Sequence, residues 1–125
     1  MNPRLRIVVA DDHPGMLDWL TSRLQQEFDV IAAVQDGDAA LEAVARLTPD
    51  VVVLDLAMRP TNGLEVIRRL RESGAHTPVV LITGYNDPAL REVAISAGAK
   101  AFVAKSKLAK ELVPAVTRAS KKDPF

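Results

Sequence analysis

Residues 51–63 read VVVLDLAMRPTNG. The run VVVL ahead of Asp55 is too short for a buried helix, and its valines suit a strand buried on both faces. Asp55 therefore falls at the C-terminal end of that strand. Pro60 and the Asn62-Gly63 pair stop the strand and turn the chain before a helix that begins near Leu64. A carboxylate at such a junction lies on the rim where open α/β sheets place their chemistry.

Working outward, the same alternation of short apolar runs and helical periodicity repeats on either side. Leu5–Ala10 (LRIVVA) reads as a strand that ends at Asp11-Asp12. His13-Pro14 then opens a helix with Met16, Leu17, Leu20, Leu24 and Phe28 at helical spacing. Val30–Val34 is a second strand, and AspGlyAsp at 36–38 supplies the turn and cap of a helix carrying Ala40, Leu41, Val44 and Leu47. The helix after Asp55 runs from about Leu64 to Ser73, buries Leu64, Ile67 and Leu70, and closes at Gly74. Pro78–Thr83 (PVVLIT) is the fourth strand. Gly84 leads into Asn86-Asp87-Pro88, a cap followed by a first-turn proline, and into a helix bearing Leu90, Val93, Ala94 and Ala97. Ala101–Lys105 (AFVAK) is the fifth strand, and Leu108, Leu112, Ala115 and Val116 mark a last helix to about Ser120. Pro114 inside it costs about 3 kcal/mol in an ordinary helix interior, so a kink or late start is expected there. The final LysLysAspProPhe is expected to fray.

Five strands alternating with five helices predict an α/β fold, a doubly wound parallel sheet wrapped by right-handed crossovers. The order 2-1-3-4-5 suits five strands and puts the switch point between strands one and three, where Asp11, Asp12 and Asp55 would meet. The 125 residues, 48% hydrophobic, fit a single domain spanning 1–125 with a core of about 5–120. The chain has no cysteine, which excludes disulfides and thiolate chemistry. No run approaches the roughly 18 apolar residues that span a membrane, and the N-terminus leaves no room for a signal peptide. The expectation is a cytoplasmic protein that does not engage the membrane. Sixteen basic and sixteen acidic residues cancel, leaving no overall positive field for nonspecific nucleic-acid binding. Residues 100–125 nevertheless carry seven Lys or Arg against two acids, net +5, which leaves −5 for residues 1–99.

Taken singly, each polar residue at a strand end has an ordinary explanation. Asp11 or Asp12 can cap the first helix, Asp55 can bind loop amides, Thr83 is a common strand residue and Lys105 can be solvated. Together they occupy the C-terminal ends of strands one, three, four and five, on one edge of the sheet. Three crowded carboxylates repel one another unless cations are present. Lys105 against three carboxylates leaves −2, which a hard divalent cation cancels, and an all-oxygen donor set favours Mg2+ over zinc. Thr83 adds a hydroxyl able to donate to a phosphoryl oxygen. The set describes an acidic metal site around a carboxylate nucleophile, with lysine and threonine placed to neutralise transferred phosphate. His13, at a helix start, reads as solvated or capping, and Met16 and Met58 as packing.

Asp11-Asp12, Asp55, Thr83 and Lys105, with Asn62-Gly63 after the central aspartate and GlyAlaLysAlaPhe before the lysine, resemble the receiver domain of bacterial two-component response regulators. AspAspHisPro after the first strand is most similar to receivers of LuxR/NarL-type regulators, which precede a DNA-binding helix-turn-helix. The resemblance implies the flavodoxin-like receiver fold and a phosphorylation-activated switch that catalyses only its own phosphorylation and dephosphorylation. It implies that Asp55 accepts a phosphoryl group from a sensor histidine kinase or phosphotransfer protein. Mg2+ would be held by Asp12, Asp55 and the backbone carbonyl of Ala57, with Asp11 acting mainly through a water on the metal. Lys105 and Thr83 would bind phosphoryl oxygens, and Thr83 moving inward would let Phe102, at the switch-aromatic position, turn toward the interior. The face of helix four, strand five and helix five would carry the signal and serve for homodimer contacts. DNA would be reached only through a C-terminal domain outside this chain.

Three departures from the family pattern stand out. Arg59 occupies the position four residues after the phosphoacceptor where proline is usual, and the proline lies at Pro60. Ser106 follows Lys105 in place of a cis-proline, and a cis bond before another residue costs about 2.5–4 kcal/mol, which points to a trans bond. Phe102 replaces the frequent tyrosine. Ala57 and Tyr85 occupy the positions that flank the path of attacking water in the family; Ala57 cannot orient water and Tyr85 can shield the phosphoryl group, so slow hydrolysis of the phosphate is expected. Two rival readings are a phosphorylation-independent pseudo-receiver, motivated by Arg59, and a stand-alone Mg2+-dependent phosphohydrolase. The complete set of Asp11, Asp12, Asp55, Thr83 and Lys105 opposes the first, and Ala57, where such hydrolases need a second carboxylate, opposes the second.

Overall fold

The computed structural model describes residues 4–84 and 87–121; Tyr85, Asn86 and residues 122–125, with the expectations placed on them, lie outside it. Five parallel strands, β1 (Arg6–Ala10), β2 (Asp29–Val34), β3 (Val51–Asp55), β4 (Val79–Thr83) and β5 (Ala101–Ala104), form one sheet in the order β2-β1-β3-β4-β5. Five helices alternate with them: α1 (Pro14–Gln25), α2 (Gly37–Leu47), α3 (Gly63–Glu72), α4 (Pro88–Ala97) and α5 (Leu108–Ala119). The expected doubly wound fold and strand order are those observed.

Side chains alternate across a strand, so an uninterrupted apolar run feeds two cores at once. Ile7, Val9, Val51, Val53, Val80, Ile82 and Val103 face α1 and α5, where Leu17, Leu20, Leu24, Leu112 and Val116 cover them. Val8, Ala10, Val52, Leu54, Val79, Leu81 and Phe102 face the other way, toward Ala40, Val44, Val66, Ile67, Leu70 and Ala94 of α2, α3 and α4. The central strands β3 and β4 are buried throughout, and that burial fixes their register. Ala10 pairs with Leu54, Asp55 with Ile82 and Thr83 with Ala104. The residues just beyond these pairs therefore share one rim.

The helix boundaries follow their caps. Asp36 accepts from Ala39 N at 2.7 Å, Asn62 from Glu65 N at 2.9 Å and Asp87 from Ala89 N at 2.9 Å. Because Asn62 is the cap, α3 starts at Gly63 and its buried stripe is Gly63, Val66, Ile67 and Leu70. Leu64, expected in the core, is only half-buried, and Val66 takes that place. Phe28 is buried as expected but lies beyond α1, held by its N–H on Leu24 O at 2.8 Å. In α4 only Ala94 is buried; Leu90 and Ala97 are half-buried, and Val93 is 53% exposed rather than packed.

Two expectations near the C-terminus are corrected. β5 ends at Ala104, and Lys105 opens a short 3-10 turn to Lys107, where Leu108 N–H reaches the Lys105 carbonyl. α5 has no late start at Pro114; it begins at Leu108 and runs through the proline. Pro114 is on the exposed side of α5, where water is available to the carbonyl that loses its N–H partner. Among the described residues the one cis peptide is Arg59–Pro60, so Lys105–Ser106 is trans.

Candidate functional site

The C-terminal ends of β1, β3 and β4 and the turn after β5 surround an open cleft of about 450 Å³ lined by Asp12, His13, Asp55, Leu56, Ala57, Thr83, Gly84 and Lys105. Asp55, the last residue of β3, is buried, and its Oδ1 lies 3.6 Å from Lys105 Nζ. Ala57 N lies 3.4 Å from the same Oδ1, so the carboxylate turns back over its own loop. Lys105 reaches it because the 3-10 turn redirects the chain at the end of β5. Thr83 closes β4 with its side chain buried.

Asp11 is fully buried at the end of β1. Its Oδ1 accepts from His13 N–H at 2.8 Å, whereas Oδ2 has no hydrogen-bond partner among the described residues. Burial pushes its pKa above the ordinary carboxylate range; the His13 N–H works against that shift, Asp55 adds to it, and Lys105 opposes it more weakly. Asp12 and His13 are exposed, and their ligand atoms lie within 4.8 Å of one another and of an Asp11 carboxylate oxygen.

An unpartnered buried carboxylate oxygen is costly without a cation to face. The donors available here, carboxylates of Asp11, Asp12 and Asp55 and the backbone of exposed Ala57 on the cleft wall, are oxygens suited to a hard divalent ion. Among the described residues Lys105 is the single ammonium on that wall. The residues singled out in the sequence therefore share one cleft or its floor. Phe102 stands apart, buried in the α3–α4 core, with its carbonyl accepting from Arg91 Nη1 at 3.2 Å.

Two residues have a place beyond the one their sequence positions suggested. His13 provides no side-chain cap for α1 and instead lines the cleft; its adjacency to the acidic pair was the available signal. Gly63 does more than turn the chain. A Cβ there would lie 2.7 Å from Leu81 Cδ2 and 3.0 Å from Asp55 O, so any larger residue would have to displace Leu81 and press on the end of β3.

The response regulator receiver domain model matches residues 7–117. The DNA-binding response regulator MtrA of Mycolicibacterium smegmatis is 40% identical over 114 residues, covering 90% of this chain and 49% of that protein. The chain thus spans about half the length of the curated relatives it matches. Among solved structures, the signal receiver domain of NarL from Mycobacterium tuberculosis has a TM-score of 0.87 at 33% identity, covering 98% of this chain and 100% of that one. A LuxR-family two-component response regulator from Aurantimonas sp. SI85-9A1 has a TM-score of 0.88 at 28% identity, covering 94% and 85%. A family match from β1 into α5, joined to a NarL receiver that superposes along nearly the whole length, leaves one conclusion: this chain belongs to the response regulator receiver domain family, a family of signalling domains.

Proposed function

We propose that this receiver takes a phosphoryl group onto Asp55 from a phosphohistidine of a sensor histidine kinase or phosphotransfer protein, with Mg2+ as cofactor. The supporting observation is Lys105 Nζ standing 3.6 Å from Asp55 Oδ1 across a cleft that Thr83, Asp12 and His13 also line. An Asp55 carboxylate oxygen attacks phosphorus. The P–N bond breaks, its electron pair returns to the imidazole, and Asp55 is left as an acyl phosphate. Lys105 transfers its contact from the carboxylate to a phosphoryl oxygen, and the Thr83 hydroxyl donates to a second. Asp12, Asp55 and the Ala57 carbonyl would hold Mg2+, with buried Asp11 behind them. When bound, the ion neutralises charge on the transferring phosphoryl oxygens.

The product of this chemistry is a conformation. Thr83, drawn toward the phosphoryl group, loosens the end of β4 beside β5, so the signal emerges on the α4–β5–α5 face through Phe102. That face serves for homodimer contacts, and a DNA-binding domain outside this chain reads the output, as the naming of MtrA as a DNA-binding response regulator supports. The same cleft carries out the hydrolysis that resets the switch.

Intact-mass spectrometry after incubation with acetyl phosphate and Mg2+ tests the chemistry. Wild type is expected to gain one phosphoryl group, and Asp55→Asn or omission of Mg2+ to give none. An unlabelled wild type, under conditions that label an active control receiver, contradicts the proposal and favours the pseudo-receiver.

A further inference from the structure

The loop between β3 and α3 carries Ala57 and is fastened at both ends. At its neck, Gly63 N–H donates to Leu56 O at 3.0 Å, and Met58 is buried beneath it. At its far end Thr61 is buried, and its hydroxyl donates to Asp38 Oδ1 at 3.2 Å. The same oxygen accepts from Arg69 Nη1 of α3 at 3.1 Å. Asp38 lies in the first turn of α2, but the cap of that helix is Asp36, so the bonds accepted by Asp38 serve the loop and α3 rather than its own helix. The two surfaces are seated without clearance. A Cβ on Gly37 would lie 2.5 Å from Thr61 O and 2.9 Å from Thr61 Cβ and Cγ2. One carboxylate oxygen thus ties α2, the loop and α3 together.

We propose that Thr61 and Asp38 are positioning residues for the Mg2+ site, bracing the loop that presents the Ala57 carbonyl. The inference rests on the reading of that carbonyl as a ligand. Mg2+ demands near-ideal octahedral geometry at short metal–oxygen distances, so a carbonyl on an unbraced loop binds it less well. The Arg59-Pro60 pair sits between Ala57 and Thr61, and the brace holds the loop on the far side of it.

The test uses this 125-residue chain as wild type, Thr61→Val, which keeps shape and charge but loses the hydroxyl, and Thr61→Ser, which keeps the hydroxyl. Calorimetric titration with Mg2+ is expected to give binding weakened about five- to tenfold in Thr61→Val, as the loss of one hydrogen bond of ordinary net strength implies, with most of it restored in Thr61→Ser. Labelling by acetyl phosphate should then need more Mg2+ for half-maximal rate in Thr61→Val, with the rate at saturating Mg2+ unchanged. Wild-type affinity in Thr61→Val overturns the brace. So does a labelling rate that stays low at saturating Mg2+ in both variants, which marks general damage to the fold. A wild type that binds no Mg2+ fails the metal-site reading itself, and the inference with it.

Discussion

Asp11 concentrates the energetics of the site in one side chain, because it is fully buried and one of its oxygens has no partner among the described residues. Its pKa is raised chiefly by burial, so folding disfavours the ionised form relative to the unfolded chain. The sign follows from linkage. The contribution of Asp11 is complete below the unfolded carboxylate pKa and is lost as pH rises through the folded one, so at neutral pH without metal it lowers stability. Asp11→Asn is expected to raise the thermal midpoint of the metal-free protein by a few degrees, about 1–2 kcal/mol, and to shrink the further rise that Mg2+ gives wild type. Thermal unfolding with and without Mg2+ checks both. A lower metal-free midpoint in the variant contradicts this account of the site.

At the level of elements, α4 is the helix with the thinnest attachment: only Ala94 is buried, Val93 and Ile95 are exposed, and Arg91 bonds the Phe102 carbonyl of β5. Few buried contacts mean a low local cost of rearrangement, which suits a face that changes on phosphorylation. Moving a switch from about 1% to 99% active takes about 5.5 kcal/mol of differential stabilisation, of which the proposed phosphoryl contacts of Thr83 and Lys105, at about 1.5–3 kcal/mol each, would supply a large part. With beryllofluoride and Mg2+ as a phosphoryl mimic, amide exchange is expected to change across α4, β5 and α5, and Thr83→Ala to suppress the change. A bound mimic with no change on this face, or a Thr83→Ala variant that responds like wild type, contradicts the switch. The sequence made the sheet legible because valine runs between breakers have few alternatives, and the strand-end residues followed from their order. It concealed the half-docked state of α4, since Val93 repeats at helical spacing whether or not anything covers it. Gly63 hid the phase of α3 by carrying no side chain to count, and the bond from Thr61 to Asp38 spans 23 positions that no periodicity links.

Across the whole molecule, charge and topology divide the labour. The formal net charge is zero, yet residues 1–99 carry −5, with the acidic cleft among them, and residues 100–125 carry +5, none of it on the β5 strand itself. The parallel sheet brings Asp55, Lys105 and Thr83 to one rim. On the proposed chemistry Asp55, among sixteen acidic residues, is the one phosphorylated. Borohydride reduction of acetyl-phosphate-labelled protein converts an aspartyl phosphate to homoserine, and peptide mass mapping then locates it. The account predicts homoserine at position 55 and at no other aspartate; an unmodified Asp55 beside a reduced Asp11 or Asp12 would contradict it.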